Sequence, residues 1–254
     1  MFRILHERQT IKKFAAVVML GIFLYIVLNT YSRGAYLVLA INAVLILFTL
    51  KRRFNPLILI AIVTIAVLLF PLLPATYRDR FTSLFVVTEE NGVYQDTSLR
   101  GRSSEMLTGL AMFAEQPILG VGAGNYKPNY QRYAQLVGIE FRAEARDPHS
   151  LYVQLLAETG ILGITAFLIM AFFLIEALNR ACRAIEGSPP LIEWLPWISS
   201  FRFAILSYLL TSIFLHNAYI RYFWILVALA LAAIQITYTM LDNLKRNAPV
   251  EARR

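Results

Sequence analysis

Residues 148–178 read PHSLYVQLLAETGILGITAFLIMAFFLIEAL, from Pro148 to Leu178. The part from Ile161 to Ile175 carries no charge and does not alternate polar with apolar. A transmembrane β-strand would show about ten residues of alternating character, whereas an unbroken run has the signature of a spanning helix. Its start is different: Pro148, His149 and Ser150 close a polar, arginine-bearing loop just where the chain turns apolar. Ionisable groups at such a junction are placed for chemistry at a membrane edge.

Outward from this run, the rest of the chain has the same composition. Hydrophobic residues make up 58% and charged residues 16%, and mean hydropathy is +0.58. Soluble domains lie nearer about half apolar and about a quarter charged. The chain therefore reads as an integral membrane protein, and lipid admits only helices or closed barrels because it cannot satisfy stray backbone groups. Six spans are expected, at about 14–31, 35–50, 56–74, 151–178, 201–220 and 222–242. The fourth is long enough to begin as an interfacial segment. The first follows Lys12 and Lys13 like a signal-peptide core, but Asn29-Thr30-Tyr31-Ser32-Arg33 is a poor small-residue cleavage site, so an uncleaved anchor is expected. The fold class is thus all-α: a polytopic bundle of about six spans, one membrane domain over 1–254, with a large outer loop at 75–150 that contains amphipathic helices.

The net charge of +8 sits at span ends: Arg3, Arg8, Lys12 and Lys13; Lys51, Arg52 and Arg53; Arg180 and Arg183; Lys245, Arg246, Arg253 and Arg254. These alternate to one side, which the positive-inside rule makes cytoplasmic. No basic stripe with interleaved aromatics is present, so nucleic acid is not an expected partner. Cys182 is the single cysteine and predicts no disulfide.

Within the outer loop, Ser103 to Ala114 is expected to be helical, capped by Ser103 or Ser104, with Met106, Leu107, Leu110 and Phe113 on one face lying on the bilayer. Pro117 ends it. The glycines of Pro117-Ile118-Leu119-Gly120-Val121-Gly122-Ala123-Gly124 then suggest a tight turn with exposed backbone, and Tyr126, Tyr130 and Tyr133 follow at near-helical spacing as interface anchors or sugar-stacking platforms. Trp194 and Trp197, beyond Gly187-Ser188-Pro189-Pro190, fit an interfacial aromatic belt.

The topology collects the chemically distinctive residues at one end. Arg33 stands between two apolar runs. Snorkelling to headgroups would account for it, as would a guanidinium fork clamping an anion such as a diphosphate. Arg102 opens the loop helix, either solvated or joining Arg33 in a cationic pocket. His149, with Asp147 near it in sequence, can take a proton near neutrality. His216 and Arg221 are further lining candidates. There is no carboxylate cluster or histidine pair at metal-ligand spacing and no serine-hydrolase elbow, so no metal is expected.

Together, Gly101-Arg102, the stretch from Met112 to Tyr126 with its Pro-Ile-Leu-Gly-Val-Gly core, and His149 through Gly163 with Glu158-Thr159-Gly160-Ile161-Leu162-Gly163 resemble the C-terminal part of the O-antigen ligase and polymerase family, as does Ser32-Arg33-Gly34-Ala35 between two spans. The resemblance implies cofactor- and metal-independent, inverting glycosyl transfer on the periplasmic side of the bacterial inner membrane. The donor would be a glycan on undecaprenyl diphosphate and the acceptor a hydroxyl of lipid A core or another glycan. Carried over, Arg33 and Arg102 would bind the diphosphate and His149 would activate the acceptor, with His216 and Arg221 lining the site. Departures from the family pattern are Ser150 where an asparagine is usual, Ser104-Glu105-Met106-Leu107 where a tryptophan is common, and about half the usual number of spans. The last implies a truncated product or a partner supplying the missing N-terminal helices. The alternatives left open are a polymerase, an anion transporter and a non-catalytic membrane subunit.

Overall fold

The computed structural model of the chain describes residues 10–30, 35–36, 38–43, 97–137, 144, 146–215 and 219–247, and every regular element among them is helical. In chain order these are α1 (Thr10–Asn29), α2 (Thr97–Glu115), α3 (Tyr126–Val137), α4 (Leu151–Glu186), a 3-10 turn at Pro189–Trp194, α5 (Leu195–Thr211) and α6 (Arg221–Asn247). The chain forms two compact units, Met1–Leu20 with Gly101–Arg254, and Gly21–Arg100.

Three of these helices are long and apolar enough to cross a membrane: α1 over Thr10–Val27, α4 and α6. The expected spans at 35–50 and 56–74 fall largely outside the described residues, although residues 35–36 and 38–43 are helical. The expected span at 201–220 is corrected. Helix α5 runs from Leu195 to Thr211, because Pro196 starts it early in its first turn and residues 212–215 leave the helix.

Helices α4, α5 and α6 pack through one stripe each. On α4 it holds Leu155, Phe167, Leu174, Leu178, Ala181 and Ile185; on α5, Ile198 and Ile205; on α6, Phe223, Val227, Ala230 and Ala233. Steps of three, four and seven residues keep such side chains on one face, and alanines let helix backbones approach closely, as membrane bundles require. Phe223 stacks on Tyr208 with ring centroids 4.2 Å apart. Trp194 Nε1 donates to Thr237 Oγ1 at 3.0 Å, pinning the 3-10 turn to α6. The opposite faces, with Leu168, Phe172 and Phe173 on α4 and Leu229 and Leu231 on α6, are exposed apolar surface.

The loop helix differs from its sequence reading. It begins at Thr97, so Ser103 and Ser104 lie inside it and are not caps. Met106, Leu107 and Leu110 are exposed, while Gly101, Ser104, Glu105, Thr108, Gly109 and Met112 are buried. The helix thus turns its small and polar side to the protein. Tyr126, Tyr130 and Tyr133 are neither interface anchors nor stacking platforms: all three are buried and form a second core with Met112, Ala134 and Ala157.

Candidate functional site

The site is organised by a break in α4. Gly160 adopts φ 62°, ψ −162°, a conformation that only glycine takes easily, and it interrupts the helical ladder. The groups it releases are taken up by the turn after α2. Val121 N donates to Ala157 O and Gly122 N to Glu158 O, both at 2.9 Å. In the other direction Ile161 N donates to Pro117 O at 2.8 Å and Leu162 N to Ile118 O at 3.4 Å. Much of the turn's backbone is therefore bonded to α4 and not exposed as its glycines suggested. Gly120, at φ 66°, lies so close to Ala157 and Glu158 that a Cβ would collide with their backbone, and a Cβ on Gly160 would collide with Ile118. The two family-like motifs, far apart in sequence, are two halves of one joint.

This joint aims Glu158 at the first turn of α3. Tyr126 N donates to Glu158 Oε1 at 3.0 Å, so a buried carboxylate meets the positive end of a helix dipole and a charge-assisted bond. Tyr126 then crosses to α2, where its hydroxyl donates to Glu105 O. Burial first, then the negative charge of Glu105, pushes the Tyr126 phenol far above the usual tyrosine range. Tyr219, ahead of α6, is raised as well: burial leads, followed by hydrogen bonding to and the charge of Glu158, with the Gly124 backbone opposing. Both hydroxyls stay protonated at any physiological pH.

His149 also reaches α2. Its φ of 45° lies in the left-handed region, an uncommon place for a non-glycine residue. Pro148 before it is buried, Lys127 Nζ holds Asp147 Oδ2 at 2.8 Å, and Leu151 N donates to Ser212 O at 2.9 Å. Held from both directions, His149 places Nε2 3.4 Å from Glu105 Oε2, with the His149 side chain 33% exposed and that of Glu105 3% exposed. The carboxylate the histidine faces is thus that of Glu105, while Asp147 is ion-paired with Lys127. A partly accessible imidazole backed by a buried carboxylate is the arrangement of an oriented general base.

Arg102 is half-buried on α2, one turn before Glu105, a spacing that puts the two on one side of the helix. Arg221 is exposed at the first position of α6. Arg33 and His216 lie outside the described residues. The structure therefore brings His149 to Glu105, with Arg102 on the same helix. Glu158 entered the sequence reading only as part of the Glu-Thr-Gly motif, with no role of its own, and Glu105 only as a departure from the family pattern, since a single glutamate in a loop has no periodicity to mark it. Among the described residues no group of three His, Cys, Asp or Glu side chains converges as a metal site.

Residues 15–168 match the family model described as O-antigen ligase. No individual curated protein matches the chain.

Proposed function

The chain belongs to the O-antigen ligase family, and from that premise we propose that it is a bacterial envelope glycosyltransferase that moves a glycan from undecaprenyl diphosphate to a sugar hydroxyl. In this reading it works at the periplasmic face of the inner membrane, in lipopolysaccharide or surface-polysaccharide assembly, and a polymerase would use the same donor chemistry on another glycan. The observation that carries the reading is the contact between partly accessible His149 and buried Glu105, with Arg102 one turn away.

In this scheme Nε2 of His149 faces Glu105 and Nδ1 receives the acceptor's proton. The acceptor oxygen forms a bond to the anomeric carbon from the face opposite the diphosphate. The bond from that carbon to the diphosphate oxygen breaks, its electron pair leaves with the diphosphate, and the configuration inverts. Arg102, with Arg33, neutralises the charge that builds on the leaving group. Glu105 is a positioning residue: it orients the imidazole and balances the charge it gains. At 3.4 Å the contact is longer than a strong N–H···O bond, and such contacts tighten when substrate closes the site. Arg221 and His216 are further lining residues in this scheme, and a partner chain supplying more helices is compatible with it.

The test is glycan transfer from an undecaprenyl-diphosphate donor in membranes. Arg33→Ala, Arg102→Ala and His149→Ala are each expected to lower transfer at least ~100-fold, about 2.7 kcal/mol of transition-state stabilisation, while inserting normally. Glu105→Gln keeps the shape of the side chain and is expected to reduce kcat by about 10- to 100-fold with donor KM unchanged. Full transfer by His149→Ala would overturn the mechanism, and no transfer by the wild type would favour a non-catalytic subunit.

A further inference from the structure

The joint between the turn and the α4 kink has a property that glycosyl transfer does not require. Its outer side chains are large, apolar and bare: Ile118 is 62% exposed, Leu119 71%, Ile161 48% and Leu162 56%. In water such a turn would gain nothing from this composition. At the same time much of its polar backbone is bonded within the protein. The carbonyls of Gln116, Pro117 and Ile118 accept hydrogen bonds, and the N–H groups of Gly120, Val121 and Gly122 donate them. Apolar side chains outside, with the backbone on the α4 side bonded to protein, suit a non-helical chain at the edge of the hydrocarbon.

The length of α4 points the same way. Glu176, ion-paired with Arg180 and Arg183, marks the polar end of its apolar run. The uncharged segment from Ile161 to Ile175 covers only about 22 Å at 1.5 Å per residue, against a hydrocarbon core of about 30 Å. Counting about 20 residues back from Glu176 reaches Ala157, so the far boundary of the hydrocarbon falls across the kink, where the turn is bonded to Ala157, Glu158, Ile161 and Leu162. We propose that Pro117-Ile118-Leu119 is a re-entrant element inserted in the acyl-chain layer, completing on the α4 side the apolar thickness that the kinked helix leaves short. Its occupant is bilayer hydrocarbon, continuous with the lipid-facing surface of α4 at Leu168 and Phe172. Glu158, on the inner side of the joint, then lies at headgroup depth.

Nitroxide labels at Leu119→Cys and Ile118→Cys in lipid nanodiscs test this, with native Cys182 buried and therefore unlabelled. Phe172→Cys serves as the hydrocarbon reference and Lys245→Cys as the aqueous one. The expected oxygen-to-nickel-chelate collision ratio at 118 and 119 matches that at 172 and exceeds that at 245 by at least about fivefold, because hydrocarbon admits oxygen and excludes the chelate. A ratio like that at 245 would put the turn in water and overturn the proposal. Low collision with both reagents would mean that protein covers the turn, from a second copy or a partner, and would overturn it as well. On the unsubstituted chain, phospholipids with a diazirine in the acyl chain are expected to label the 117–119 segment as strongly as 168–173. Labelling confined to 168–173 would count against insertion independently of any effect of the labels.

Discussion

The α4–α6 bundle and the cluster of α2, α3 and the glycine turn are built on opposite terms. The bundle is held by apolar side chains and alanines around Leu178, Ile198 and Ala230, with few polar side-chain bonds such as Trp194 to Thr237 and Cys182 to Ser199. The cluster buries Glu105, Thr108, Glu158 and three tyrosines, and it closes by backbone hydrogen bonds at glycines that leave no room for a methyl group. A membrane bundle needs close packing, which many volume-conserving sequences supply. A polar site needs each buried group matched to a partner, which few sequences supply. The cluster should therefore be far more sensitive to small changes than the bundle, and experiments that widen or close this difference are informative.

The largest stability effect is expected at the joint. Gly160→Ala forces an L side chain into a glycine-only conformation against Ile118, and the loss should be about 3–5 kcal/mol by unfolding in nanodiscs, with hydrogen exchange rising at the Val121 and Gly122 amides. Unchanged exchange there would mean that the joint does not depend on this glycine. Next, Glu158→Ala orphans the Tyr126 N–H and removes the anion from the α3 dipole. About 1–3 kcal/mol should be lost, read in the exchange rates of α3 and not of α6. In the bundle, Leu178→Met preserves volume in a fully buried position and should cost less than about 1.5 kcal/mol in the same unfolding assay. A larger loss than at Glu158 would erase the contrast.

The smallest effect at neutral pH is one of titration. Tyr126 has its pKa raised above the ordinary 10.0 by burial and then by Glu105. The folded cluster therefore binds this proton more tightly than the unfolded chain. The resulting stability is fully present below pH 10 and is lost as pH climbs beyond it. Hydrogen exchange in α3 is expected to be flat from pH 7 to about 9, once corrected for the intrinsic rate, and to accelerate above about 10. Tyr126→Phe should abolish that alkaline limb, and its persistence would assign the limb elsewhere.

Much of the bundle was legible in the chain. The long apolar runs gave α1, α4 and α6, Pro117 ended α2, and the tyrosine spacing marked α3 as a helix. The start of α5 was misplaced because Pro196 and the Pro189–Trp194 turn set it, and these sit in a segment without strong periodicity. The apolar side of α2, read as turned to the bilayer, is the exposed one; what the sequence did not show is that its opposite side buries Ser104, Glu105 and Thr108. Apolar residues at helical spacing predict which side is apolar, but whether that side meets protein or lipid depends on what the other side has to bind. His149 and Arg102 were found as residue types; Glu105 was not, because its role exists only where α2 passes the end of the outer loop.

By itself, then, the sequence determined that this protein is a helical membrane protein, where its long apolar helices lie, and which motifs tie it to a family of envelope glycan enzymes. Hydropathy and helical period are local properties, and they survive in a linear reading. Only the tertiary structure decided that the glycine turn and the α4 kink exchange backbone hydrogen bonds, that three tyrosines form a core, and that a glutamate stands behind the histidine. Each of these depends on contacts between residues distant in sequence, as between Tyr126 and Glu158 or Glu105 and His149. Such pairings are fixed by which buried polar groups can satisfy one another, a condition that exists only once the chain is folded.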